Sequence, residues 1–289
     1  MNLQSPIANL LIFMSTKLIL LGTGTPNMEP TRYQSSLAVV VDGQPYVVDC
    51  GGGTVQRLSQ ARANGHDALA SANLTHLFLT HLHPDHTVGL PDFIMAPWVE
   101  GRKRPLSVFG PQKTDRLITA ILFGYELGIA EHRDGLAPIN HPLVVQPYHI
   151  TPGIIHQDER VTVEAFPVSH GGLEAYGLKF TTADKTIVIS GDTCPTEALV
   201  QHAAGCDILV HEVYSAEAWQ SRPAGWQQYH KTVHTSTVEL AEIANKTRPG
   251  QLVLVHQLTW GITPAQLVAE ITARYDGVVV SGNDLDVFE

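Results

Sequence analysis

The string HLHPDH at residues 81–86 puts four metal-ligating side chains, His81, His83, Asp85 and His86, into six consecutive positions. It follows directly on residues 74–80, an apolar run that reads as a buried strand. Residues two apart in extended chain point to the same side, so His81 and His83 can converge on one ion. Pro84 then turns the backbone away, and Asp85 and His86 can face a second ion. Imidazole nitrogen together with carboxylate oxygen is the donor set expected for zinc, with manganese or iron as alternatives. The protein carries 15 histidines in 289 residues. A side chain that titrates near neutrality is seldom used so freely without ligand or proton work.

Four ligands do not complete two sites, and the rest are expected at other strand ends on the same rim. His170 follows the apolar run 161–168, Asp192 follows 186–190, and His256 follows 251–255. Further β-rich runs lie at 17–21, 37–41, 46–48, 106–109, 178–181, 208–210 and 277–280. Helical periodicity falls between them at 54–63, 112–124, 195–204, 235–246 and 263–275, the last with Thr263 as cap and Pro264 in the first turn. Strands mixed with helices throughout, with no linker or composition shift, predict one α/β domain in which helices cover buried sheets. That domain is expected over residues 14–289, with 1–13 as a short appendage and Met14 as an alternative start.

Composition narrows the function. Lys+Arg 18 against Asp+Glu 28 gives a net charge of -10, which repels polyanions, so nucleic-acid binding needs a local basic patch. Arg102, Lys103 and Arg104 form the one basic run, and between turn residues it reads as a solvated loop. Three cysteines, Cys50, Cys194 and Cys206, without a CxxC pair, exclude a disulfide framework and fit a cytoplasmic protein. The apolar residues 10–13 and 18–21 are separated by Ser15, Thr16 and Lys17, so neither a signal peptide nor a membrane span is expected.

From Lys17 onward, the order HxHxDH, a later His, a later SGDT (190–193) and a later His resembles the metallo-β-lactamase superfamily. Within it, GTGTP (22–26), VVDCGGGT (47–54), SHGG (169–172) and the pair His211 with Glu212 are similar to the ribonuclease Z and arylsulfatase-type branch. The resemblance implies an αββα sandwich of two mixed sheets covered by helices, with a site for two divalent ions, Zn2+ foremost, on their shared rim. It implies that His81, His83 and His170 bind one ion, that Asp85, His86 and His256 bind the other, and that Asp192 bridges. β-Lactamases of this superfamily generally have a cysteine where Asp192 stands, which argues against a β-lactam substrate. GTGTP lacks the third glycine of a dinucleotide loop and reads as a tight turn that lets backbone approach the rim.

Two neighbouring divalent ions activate a shared water and neutralise developing charge, so the expected chemistry is hydrolysis without a nucleophilic serine or cysteine. The leaving group still needs a proton, and Glu212 and His234 are the candidates. A carboxylate can orient an imidazole and raise its pKa, a contribution typically worth ~10²–10⁴-fold in rate. The branch's HE and HST-type motifs match His211, Glu212 and His234, Thr235, Ser236, which implies Glu212 as orienter and His234 as acid, with His230 as the alternative acid. Asp85, Glu212 and His234 are thus the expected catalytic set. Thr235 and Ser236 can cap the next helix, whose positive end would favour an anionic ester. Tyr214, Trp219, Trp226, Tyr229 and Trp260 either wall an apolar pocket or pack a surface excursion.

Ribonuclease Z enzymes grip tRNA with a protruding arm rich in glycine and Lys/Arg, and residues 125–153 hold only Arg133 as a Lys/Arg residue. The sequence therefore predicts a small phosphate, phosphodiester or sulfate ester as substrate and no membrane partner, and leaves a homodimer open. A tRNA 3′-processing endonuclease, a lactonase and a non-catalytic metal-stabilised sensor stand as alternatives.

Overall fold

The structure, a computed structural model, describes residues 15–289, so the expected appendage 1–13 and Met14 lie outside the described residues. One sheet contains β1 (Thr16–Gly22), β2 (Ser36–Val41), β3 (Gln44–Val48), β4 (His76–Phe78), β5 (Leu106–Gly110), β6 (Val145–His149) and, on the far edge, a strand at Val287–Phe288. The other contains β7 (Gly153–Gln157), β8 (Thr162–His170), β9 (Leu173–Thr181), β10 (Thr186–Ile189), β11 (Ile208–Tyr214), β12 (Gln251–Leu258) and β13 (Val279–Ser281). The strand Val287–Phe288, β14, pairs antiparallel with β1. Each sheet is antiparallel in one half and parallel in the other: β3, β4, β5 and β6 run together, as do β10, β11, β12 and β13.

The helices α1 (Thr54–Ala63), α2 (Pro84–Thr87), α3 (Leu90–Val99), α4 (Thr114–Gly124) and α5 (Glu126–Asp134) fall in the first half. In the second come α6 (Glu197–Ala203), α7 (Ala216–Trp219), α8 (Ala224–Val233), α9 (Thr237–Thr247) and α10 (Pro264–Thr272). Strands buried on both faces read as continuous apolar runs rather than alternating ones. β1 shows why: Leu18 and Leu20 enter the core between the sheets with Phe78, Phe180 and Val210, whereas Ile19 and Leu21 face the outer layer. There Leu58 of α1, Phe93 and Ile94 of α3, and Ile118 of α4 cover the first sheet. Leu199 of α6, Leu240 of α9 and Leu267 of α10 cover the second. The result is the αββα sandwich of two mixed sheets.

One expectation fails. Arg102 is not a solvated loop residue but 2% exposed, and its guanidinium donates to the carbonyls of Ile94 (2.7 Å), Phe93 (3.1 Å) and Leu74 (3.3 Å). Pro97 inside α3 has no N–H to give the Phe93 carbonyl four residues back, and Arg102 supplies the missing donor. Among the described residues no helix is long and apolar enough to cross a membrane.

Candidate metal centre

Parallel strands deliver their following loops to one rim, and the seven sequence-selected side chains meet there. His81 and His83 lie in the loop after β4, and Pro84 starts the one-turn helix α2 that carries Asp85 and His86. His170 ends β8, and Asp192 follows β10. His256 lies within β12 rather than after it, at a register shift where Glu212 faces Val255 and Val213 already faces Gln257. The bulged residue takes φ 43°. A bulge of this kind re-aims a side chain out of the sheet's alternation. The GTGTP turn holds it, since the Thr23 carbonyl accepts from the His256 N–H at 3.0 Å.

Ligand atoms from His81, His83, His170 and Asp192 all lie within 4.8 Å of one another, as do those of Asp85, His86 and His256. His83 Nδ1 is 3.1 Å from both His81 Nε2 and His170 Nε2, and Asp192 Oδ2 is 3.9 Å from each of those two. In the second group His256 Nε2 is 3.2 Å and His86 Nε2 3.5 Å from Asp85 Oδ2. Asp192 reaches this group too, at 3.5 Å to His86 Nε2 and 3.4 Å to His256 Nε2. A tetrahedron with bonds of about 2.0–2.1 Å has its ligand atoms about 3.3 Å apart, so both groups fit a divalent cation and Asp192 fits a shared position. His86 Nε2, buried and without a hydrogen-bond partner, is an orphan that such a cation would satisfy.

Electrostatics separate the two groups: burial would lower His86 and His256, but Asp192 with Asp49 or Asp85 outweighs it and holds His86 well above its ordinary pKa and His256 at about 9, so a cation there would take the place of protons. Burial holds His81 well below its ordinary pKa, helped by His86, and burial also lowers His83 and His170, so three converging imidazoles are neutral. Burial would raise Asp192, but His256 and His86 outweigh it and keep the carboxyl far below its usual range. Backbone and neighbouring groups fix the rings: His170 Nδ1 lies 2.8 Å from the Val233 carbonyl, and His86 Nδ1 lies 2.7 Å from Asp49 Oδ2. Asp49 also accepts from the Thr80 N–H at 2.8 Å and from its hydroxyl. Asp49 lies within the VVDCGGGT string, where its part as a partner of His86 is not apparent from the residues alone. It directly follows β3, which runs parallel to β4 and so ends on the same rim.

Residues 45–257 match the family model described as Beta-lactamase superfamily domain. A protein named Ribonuclease Z from Mycobacterium bovis is 34% identical over 283 residues, covering 93% of this chain and 96% of that one. The metallo-β-lactamase fold protein YhfI from Bacillus subtilis superposes with TM-score 0.75 at 16% identity, covering 94% of this chain and 98% of its own. Human tRNase Z, short form, superposes with TM-score 0.69 at 23% identity, again over 94% and 98%. This chain belongs to the metallo-β-lactamase superfamily, in its ribonuclease Z branch. It is a metal-dependent hydrolase of that superfamily.

Beside the centre, His234 Nδ1 stands 3.2 Å from Glu212 Oε1 without the alignment of a hydrogen bond, and the His234 ring stacks on that of His256 at 5.4 Å. Glu212 Oε1 accepts from the Thr235 and Thr193 N–H groups at 3.0 and 3.2 Å, while Oε2 is buried without a partner. The expected elevation of the His234 pKa is not found. Burial pulls the imidazole down to about 4, and burial with the Asp192 charge pushes Glu212 well above its usual range. His230, the alternative acid, instead stacks on Trp226 and lies 4.7 Å from the Trp260 ring. Tyr214 and Trp219 pack into the same cluster, but Trp226 (51% exposed) and Tyr229 (43%) line the open side, with Tyr229 6.4 Å from the His234 ring.

The helix-end expectation also changes. Ser236 caps α9 in a capping box with Glu239, whose carboxylate accepts from the Ser236 N–H at 2.9 Å. A carboxylate of the protein itself therefore takes the first turn. Thr235 does not cap: its hydroxyl donates to the Thr193 carbonyl at 2.6 Å.

Proposed function

We propose that the protein is a two-metal phosphodiesterase that cuts RNA at tRNA 3′ ends, which moves the reading from the small ester favoured by the sequence to its first alternative. What carries it is the 34% identity to Ribonuclease Z across nearly the whole of both chains. In this reading His81, His83 and His170 would hold one divalent cation and Asp85, His86 and His256 the other, with Asp192 available to both groups. Cations so held would supply Lewis-acid stabilisation of phosphoryl charge and an acidified water. The chain's own groups do the rest. Glu212 faces Nδ1 of His234, which leaves Nε2 to give the departing oxygen its proton. Burial raises the Glu212 pKa, which favours a carboxyl able to hand a proton back to Nδ1. Tyr229, 6.4 Å from the His234 ring, and the half-exposed Trp226 next to it offer ring surface on which an unstacked base can lie.

A second reading, hydrolysis of a small phosphodiester or sulfate ester, is favoured by the charge of -10. Arg133, the one Lys/Arg residue of 125–153, is also spent in an ion pair with Asp134 at 2.7 Å. The test is a precursor tRNA assayed beside an aryl phosphodiester, an aryl sulfate and a lactone. The proposal expects one endonucleolytic cut near the tRNA 3′ end that stops with chelation and returns with added Zn2+ or Mn2+. Turnover of an aryl ester with the precursor left intact would favour the second reading instead.

A further inference from the structure

Beside the ligand loop lies a cleft of about 630 Å³ that neither the metal groups nor the acid pair use. Leu82, Pro84 and Val88 line it from the ligand loop and α2, and Lys113, Arg116 and Leu117 line it from α4 and the turn before it. Its size is that of a small-molecule or nucleotide site. Leu82 stands between His81 and His83, and Pro84 between His83 and Asp85, so the wall of the cleft and the metal-facing side chains belong to one short loop.

The two cations are at liberty. Among the described residues, the ion pairs of Lys and Arg engage Lys17, Arg57, Arg133, Arg160 and Arg248, and neither Lys113 nor Arg116. Asp115, between them in sequence, lies instead 3.0 Å from His149 Nε2. Lys113 is held at φ 78°, a left-handed conformation that costs a non-glycine residue about 1 kcal/mol or more and that concentrates at functional sites. Exposed, unpaired cations above an apolar floor match one ligand chemistry well: phosphate on the cations, with sugar and base faces on the floor. The pair also supplies a local basic patch of the kind that a chain of charge -10 needs before it can hold a polyanion.

We infer that this cleft seats the RNA nucleotide flanking the scissile phosphate, with its phosphates on Lys113 and Arg116. The inference rests on the RNA-cleaving reading above. Its test is the double variant Lys113→Gly/Arg116→Ala, in which glycine also relieves the left-handed backbone. Cleavage of a precursor tRNA by the metal-loaded enzyme is measured from low to high salt, with an aryl phosphodiester in parallel. The expected result is a KM for RNA raised about tenfold, with a kcat/KM preference for RNA over the aryl ester lowered to match. The plot of log kcat/KM against log salt becomes shallower by about 1.4, two single-strand phosphates at roughly 0.7 each. Lys103→Ala/Lys246→Ala removes the same charge elsewhere and leaves that slope as it was. Should the double variant misfold, Arg116→Glu at an exposed helix position gives the same reading. Wild-type cleavage of RNA with KM and slope unchanged in the variants overturns the cleft alone. No RNA cleavage by the wild type overturns the functional reading and the cleft's ligand with it.

Discussion

His83 and His234 border the same cluster, and a substitution at each separates holding a cation from moving a proton. His83 Nδ1 sits 3.1 Å from two other imidazole nitrogens, a contact that makes sense around a cation. His83→Ala is therefore expected to lose metal along with activity. His234 faces Glu212, and its loss should leave metal content intact while lowering kcat by about 10²–10⁴-fold, the usual worth of a general acid. Metal analysis of both purified variants beside their kinetics decides it. The outcome is open to challenge, because His234 also offers a ligand atom within 4.8 Å of Asp192 and His256, and equal metal loss would make it a ligand. At this scale the sequence was legible wherever chemistry demands particular atoms in a cluster, as in His81 to His86. Asp49 escaped because it acts through His86, and a lone aspartate after a strand looks like any turn residue.

Elements were legible where both faces are buried. The runs 37–41, 186–190 and 251–255 each seed a strand, since a strand buried on both faces has no polar alternation to hide it. β6 and β7 gave no such signal: they lie at the exposed edges of their sheets, where burial does not impose a continuous apolar run. α3 was hidden by Pro97, whose cost is offset by Arg102, a residue the sequence reading placed in solvent. Arg102→Met keeps much of the side chain's volume but leaves the carbonyls of Phe93 and Leu74 without donors. At about 1–3 kcal/mol for each orphaned group, a loss of roughly 2–4 kcal/mol is expected in denaturant unfolding. Lys103→Ala next to it, at an exposed position, should stay within about 0.5 kcal/mol of wild type. Similar losses in both would mean that the guanidinium does not support α3.

Across the whole molecule, the candidate ligands come from both sheets, His81 to His86 from the loop after β4 and His170, Asp192 and His256 from β8, β10 and β12. Any cation bound there holds the two halves together, which bears on how stability responds to acid. The legible part at this scale was the sandwich; the substrate was not, since net charge averages over a surface on which Lys113 and Arg116 line one cleft. Far from the ligands, at the start of β4, burial and the neighbouring His156 lower His76 to about 4 from an ordinary value of 6.5. Its ring lies 4.8 Å from that of His156, so protonating both would set two charges together. The unfolded chain takes up the proton below about 6.5, whereas the fold resists until about 4. Stability is thus undiminished by this group above pH 6.5 and declines as pH falls through that window. Each unit is worth about 1.36 kcal/mol, and discounting for partial exposure leaves roughly 1–2 kcal/mol. Urea unfolding of wild type and His76→Gln, both in chelator so that ligand protonation through bound metal drops out, reads this directly. The variant should lose less stability than wild type between pH 6.5 and 4 and match its slope above pH 7. Parallel slopes throughout would place the acid sensitivity in other histidines.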